Sequence, residues 1–183
     1  MRPVITVLLT FGLLFSFSVP AAAEEYRCTG SVGARTLDNV KVPAGSTCTL
    51  NGTLVKGTIN VGNDARLFAD GIRVVGNIQG EGFRNVTVAD SRVGGSIQVV
   101  QGRRADIRRT DVNADILFDD NRRTNIAQRN EVGGNIQAFQ NTGGVEIRSN
   151  VIDGNLQCKA NSPRPVGGDN RVGGSKEDQC RDL

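Results

Sequence analysis

The chain has 183 residues, 22 of them Lys or Arg against 19 Asp or Glu, for a formal net charge of +3, and it contains no His and no Trp. So balanced a charge gives no sign of a nucleic-acid partner. The absence of His removes Ser-His-Asp and Cys-His nucleophilic machinery, together with the commonest general base.

Residues 1–23 read as a secretory signal. Arg2 supplies the positive start, Val4 to Val19 is apolar apart from Thr6, Thr10, Ser16 and Ser18, and Ala21-Ala22-Ala23 offers a small-residue cleavage site. The mature chain is then expected to begin at Glu24, secreted or periplasmic, with 21 basic against 19 acidic residues. No Cys stands at the cleavage point for a lipid anchor, and no integral membrane segment is expected after cleavage.

Residues 24–50 are expected to form an N-terminal cap and first coil, with Thr36 to Val42 as an imperfect rung. From 51 to 158 a phrase close to Val-x-Gly-x-Ile-Gln returns every 19 or 20 residues, anchored at Val55, Val74, Val93, Val112, Val132 and Ile152, with a degenerate copy at Val172. Four residues past the anchors stand Ile59, Ile78, Ile97, Ile116, Ile136 and Leu156. Six past stand Val61, Gly80, Val99, Phe118, Ala138 and Cys158, with a largely polar column between. That alternation is the signature of a strand with one buried face.

A second alternating pair precedes each anchor by seven and five residues, as in Leu67 with Ala69 and Val86 with Val88. Gly57, Gly76, Gly95, Gly134 and Gly154, two past their anchors, mark a sharp and crowded bend. Three short strands per rung follow, the anchor lying in the third. The fold class expected is all-β: a single-stranded right-handed parallel β-helix of about seven coils, the period being longer than a strict 18-residue left-handed repeat. Leucine-rich repeats have a similar length. Leucines are few here, however, and two alternating segments per rung leave no room for a helical side. The weakest match is 112–132, where Asn125 and Ala127 fall at core positions and a bulge turning Ile126 inward is a possible remedy.

Residues 159–183 shift to Ala160-Asn161-Ser162-Pro163-Arg164-Pro165 and a run of glycines, read as a capping loop. Cys28 and Cys48 lie at one end of the stack, Cys158 and Cys180 at the other, each pair about one rung apart. Of the three pairings that four cysteines allow, Cys28–Cys48 and Cys158–Cys180 alone join neighbouring rungs. A zinc site would need close Cys or His spacing, which the chain lacks, so no metal and no cofactor are expected.

Arg84, Arg103 and Arg123 each stand nine residues before an anchor, so the period sets them on one edge of three successive rungs. Arg104 and Arg108, with Arg109, Arg122 and Arg129, lie in the same coils and are expected to widen that patch. Guanidinium groups favour bidentate contact with carboxylate, sulfate or phosphate. An acidic polysaccharide or another envelope component is the expected partner. Asp106, Asp111, Asp115, Asp119 and Asp120 form the densest carboxylate group, in principle able to hold calcium or to act as acid and base, though turn positions favour Asp for local reasons. Gln79, Gln98, Gln137 and Gln157 form a column interrupted by Leu117, where stacked amides are expected to bond to one another.

The phrases Gly-Asn-Ile-Gln at 76–79 and 134–137, Gly-Asn-Leu-Gln-Cys at 154–158 and Val-Gly-Gly-Ser-Lys-Glu-Asp-Gln-Cys at 172–180 resemble those of small exported bacterial β-helix proteins. The resemblance covers nearly the whole mature chain and implies a fold and a terminal cysteine staple, without a recognisable catalytic motif. The wider right-handed β-helix class includes pectate and pectin lyases, whose long inserted loops are missing here. Bactofilins are similar small β-helices, but cytoplasmic and without cysteine staples. The leading expectation is a non-enzymatic exported protein, its catalytic set empty, that binds an anionic glycan through the arginine edge. A degenerate polysaccharide lyase or hydrolase, and a self-associating structural protein, are the alternatives.

Overall fold

A computed structural model describes residues 24–183. The expected signal segment, 1–23, lies outside the described residues. Each coil makes the same three moves, shown by the fourth: Ile78–Glu81 in sheet A, Asn85–Ala89 in sheet B and Arg92–Val93 in sheet C. Sheet A has nine strands and sheets B and C eight each, all parallel, and together they wind a right-handed β-helix.

We number the coils 1 to 8 by their third strand, which ends at Leu37, Val55, Val74, Val93, Val112, Val132, Ile152 and Val172. That is one coil more than the repeat alone predicts. The extra coil is the first, Glu25–Arg27, Ser31–Val32 and Thr36–Leu37, whose strands are too short to show alternation. Residues 159–183, expected as a loop, carry strands Val166–Gly168, Arg171–Val172 and Lys176–Asp178. Among the described residues no helix is long and apolar enough to cross a membrane.

Register stacks like on like. Ile59, Ile78, Ile97, Ile116, Ile136 and Leu156 form one fully buried column. The anchor valines form another in sheet C. Each such side chain, taken out of water, contributes about 1.5–3 kcal/mol on transfer.

The glycines two past five of the six anchors are set by close approach to the coil below, and coil 5 alone carries a methyl group there, Ala114. A Cβ on Gly76 would stand 2.7 Å from the Gly57 carbonyl oxygen, and one on Gly95 2.9 Å from that of Gly76. Phe83 imposes a second constraint. Its ring is fully buried at the corner between sheets A and B, a Cβ on Gly80 would lie 3.2 Å from it, and one on Gly102 in the next coil would collide with it. Gly80, an exception in its apolar column, is therefore the space that the Phe83 ring fills.

All three corners carry ladders of small polar side chains. At the A/B corner the N–H groups of Gly102, Asn121 and Asn141 donate to Oδ1 of Asn121, Asn141 and Asn161 in the next coil, at 2.8–3.1 Å. At the B/C corner those of Thr110, Asn130 and Asn150 donate to Oδ1 of Asn130, Asn150 and Asn170 at 3.0–3.1 Å. At the C/A corner the direction reverses: the N–H groups of Ser96, Asn135, Asn155 and Ser175 donate back to Asn77, Asp115, Asn135 and Asn155 at 2.7–2.8 Å. Backbone donors that a sheet cannot pair at its corners, buried at the A/B and B/C corners and partly exposed at the C/A corner, are satisfied this way.

The change of period from 19 to 20 residues has one location. Coil 5 crosses from Val99 to Ala105 with five residues between, and coil 6 crosses from the paired Phe118 to Asn125 with six. The strands keep their register because the A/B corner absorbs the extra residue. The expected bulge at Ile126 is accordingly missing: Ile126 pairs with Asp106 and Glu146 on the outer face, and Asn125 and Ala127 point inward. Asn125 Nδ2 donates to Arg123 O at 3.0 Å, while its Oδ1 is buried without a partner.

Both expected disulfides are present, Cys28–Cys48 with Cα atoms 5.4 Å apart and Cys158–Cys180 with Cα atoms 5.2 Å apart, each tying an end coil to its neighbour.

Candidate functional site

The arginine column stands at the A/B corner. Asn85 pairs with Arg104, which sets Arg84 beside Arg103 one coil on, and the Arg123 N–H donates to the Arg103 carbonyl at 3.2 Å. All three side chains are exposed. Asp64, one coil below Arg84, faces two of them: Arg84 Nη1 lies 3.6 Å and Arg103 Nη2 3.8 Å from its carboxylate. Arg122 and Arg103 line an open groove of about 760 Å³ along the same corner with Asp64, Glu81, Gln101 and Asp120. Among the described residues neither Arg122 nor Arg123 has an ion-pair partner.

Arg104 and Arg108 stand elsewhere. They project from the outer face of sheet B on either side of Asp106, whose side chain is 11% exposed. Arg104 Nη2 lies 3.1 Å from its carboxylate, and Arg108 binds it through both Nε and Nη2. Arg108 also donates to Gln128 Oε1 at 2.7 Å. Alternation along the strand explains the division: residues 104, 106 and 108 share one face, whereas 103 belongs to the turn. The Asp106 carboxylate holds the Arg108 guanidinium even more firmly protonated than usual.

Arg109 and Arg129 lie at the B/C corner, on the far side of sheet B from Arg103. Arg109 is bidentate to Asp90, at 2.6 and 2.7 Å, and holds that carboxyl below the ordinary carboxylate range. The basic residues of these coils thus divide among two corners and a sheet face.

The carboxylate group is also dispersed. Asp106 is clamped on sheet B, Asp111 pairs with Arg92 at 2.9 Å on sheet C, and Asp115 accepts the Asn135 N–H at 2.7 Å at the C/A corner. Asp119 and Asp120 lie at the end of sheet A and the A/B corner. These five do not converge on one point. Burial, reinforced by the neighbouring Asp120 carboxylate and opposed by a backbone hydrogen bond from Asp120, raises the pKa of Asp119, whose Oδ1 is buried without a partner.

The glutamine column forms as amide pairs. Gln79 donates to Gln98 at 3.4 Å, Gln137 to Gln157 at 2.8 Å and Gln157 to Glu177 at 2.9 Å, with the run broken at Leu117.

Two features escape a reading of the repeat that follows its apolar positions. The corner ladders were accessible, since Asn121, Asn141 and Asn161 recur every 20 residues, as do Asn130, Asn150 and Asn170. The outward column of sheet C runs Thr36, Leu54, Arg73, Arg92, Asp111, Glu131, Val151 and Arg171. Its pattern becomes visible only once the coils are stacked. The chain matches no protein-family model, no curated protein and no solved structure.

Proposed function

We propose that this is an exported, non-enzymatic β-helix of a bacterial envelope or exterior that holds an anionic glycan along its A/B corner. The observation that carries this reading is the in-register stack of Arg84, Arg103 and Arg123 on successive coils, beside an open groove that also receives Arg122. Coils repeat about every 4.8 Å, so a polymer lying along the solenoid axis meets one guanidinium per coil and can offer each a carboxylate or sulfate. Asp64 supplies a weak exposed anion that such a ligand displaces, since solvent-exposed ion pairs are held by only about 0–1 kcal/mol.

Export is supported by the two disulfides, which persist in oxidising compartments, and by the signal-like segment 1–23. The resemblance to small exported bacterial β-helix proteins supports the envelope or exterior as the destination. A lyase or hydrolase built on Asp106 to Asp120 has less support, because those carboxylates face different sides of the solenoid.

The test is binding of a panel of acidic and neutral polysaccharides by the oxidised protein across a salt series, beside an Arg84→Ala, Arg103→Ala, Arg123→Ala variant. Salt-sensitive retention of acidic chains, lost in the variant and without product release, is the expected result. Equal binding by the variant, or no binding to any acidic chain, sinks this reading.

A further inference from the structure

Sheet C presents a charge pattern that reads as its own complement in reverse. Its outward column carries Leu54, Arg73 and Arg92 on coils 2 to 4, then Asp111, Glu131 and Val151 on coils 5 to 7. Reflecting the coil order about the gap between coils 4 and 5 sets Arg92 against Asp111, Arg73 against Glu131 and Leu54 against Val151, while at the ends Thr36 of coil 1 meets Arg171 of coil 8 with neither repulsion nor an ion pair. The columns on either side, held in the same register by backbone hydrogen bonds, obey the same operation. On one side Lys56 of coil 2, held in the monomer by an exposed ion pair to Asp38 at 3.3 Å, meets Asp153 of coil 7. Val75, 56% exposed on coil 3, meets Gly133 of coil 6, where a shallow hollow is lined by Val132, Gly133 and Val151 and rimmed by Asp111, Asn113, Glu131 and Asp153. On the other side Gly71 faces Arg129, a long side chain against a bare turn.

We propose that sheet C is a self-complementary interface on which a second copy of this chain docks antiparallel, about a two-fold axis that lies along the strands between coils 4 and 5. A two-fold contact requires one patch to complement itself, and the axis along the strands keeps each column facing itself while reversing the coils. The register is specific. Moving the axis onto coil 4 sets Arg92 against Arg92 and leaves two Arg73–Asp111 pairs, moving it onto coil 5 sets Asp111 against Asp111 and leaves two Arg92–Glu131 pairs, and two parallel copies oppose like charges on coils 3 to 6 and 8. Each alternative introduces a like-charge contact and forms fewer opposite pairs than the four of the proposed register.

The occupant is a second copy because the single chain leaves Arg73 and Glu131, the outer charges of this pattern, unpaired. Arg73 and Glu131 are three coils apart, about 14 Å at the spacing of paired strands. Neither has an ion-pair partner within the molecule among the described residues. Arg92–Asp111 and Asp90–Arg109, already paired in the monomer, lie next to the axis and become one network with their copies. Eight strands and about five residues of width give roughly 1,100 Å² counted over both copies, near the low end for specific interfaces. The dimer is therefore reversible and salt-sensitive. This surface lies on a different side of the solenoid from the Arg84 corner, and the inference does not depend on glycan binding.

The experiment is sedimentation velocity of the purified, oxidised protein at low salt, with Arg73→Glu, Glu131→Arg and the double exchange. The wild type is expected to dimerise and to dissociate as salt rises to about 1 M, where the Debye length falls to about 3 Å. Each single reversal sets two like-charge pairs across the axis and is expected to weaken dimerisation at least about tenfold. The double exchange restores both pairs and returns the dimer to within about threefold of wild type. An equimolar mixture of the two single variants is expected to form heterodimers more strongly than either forms homodimers, because every facing pair is then opposite in sign. Both positions are exposed, and melting curves confirm that each variant is folded. A wild type that stays monomeric overturns the proposal, as does a dimer indifferent to the single reversals or one that the double exchange fails to restore.

Discussion

Asn141 shows how a polar residue holds a solenoid corner together. Its Oδ1 accepts from the Asn121 N–H and from Asn125 Nδ2, and its Nδ2 donates to Phe118 O and Asn161 Oδ1. Asn141→Ala strands a buried N–H and a buried C=O, each costing about 1–3 kcal/mol, so a loss of about 2–4 kcal/mol is expected in urea unfolding. Asp119 lies at the other extreme, a carboxyl whose buried Oδ1 has no partner. Its folded pKa is raised, so the folded state binds more protons than the unfolded chain between the ordinary value of 3.8 and the raised one. Stability therefore falls as pH rises through that window and stays lower above it. Asp119→Asn is expected to be more stable than wild type at neutral pH by about 1 kcal/mol, with the difference vanishing below the ordinary carboxylate pKa. Melts of the two proteins from pH 3 to 8 check the sign.

At the scale of one coil, the A/B corner is where the repeat is allowed to vary. Coils from the sixth onward place Asn121, Asn141 or Asn161 at the buried corner position, whereas coil 4 places Phe83 there and needs Gly102 above it. Gly102→Ala drives a methyl group into the ring and is expected to cost about 1–3 kcal/mol. In a Phe83→Asn background the same substitution is expected to be nearly neutral, because the clash is gone, and a double-mutant cycle by denaturant unfolding measures the coupling. The Arg84, Arg103 and Arg123 stack occupies this corner, so ligand geometry there is set by turn length as well as by the strand register.

For the molecule as a whole, the stack is a one-dimensional array whose ends are its weakest coils. Cys28–Cys48 and Cys158–Cys180 close loops of 20 and 22 residues at those ends. Replacing either pair by alanines is expected to cost about 3 kcal/mol on the chain-entropy estimate. Hydrogen exchange is expected to show the loss of protection confined first to the coil beside the missing bridge. The repeated coils were legible from residue types because Ile78 and its equivalents must alternate with polar neighbours if one face is buried. Coil 1 was not legible, since two-residue strands such as Ser31–Val32 carry no period.

The sequence by itself determined the parallel β-helix, its three strands per coil and the pairing of its cysteines, because burial and loop closure act on residue type and spacing. Only the tertiary structure decided that Arg104 and Arg108 clamp Asp106 on sheet B while Arg103 stands at the corner, since a single residue's shift along the chain turns a side chain to another face. Stacking also decided the reversed charge pattern of sheet C. Arg73 and Glu131 are 58 positions apart in the chain, and they become members of one column only when parallel pairing sets the coils in register.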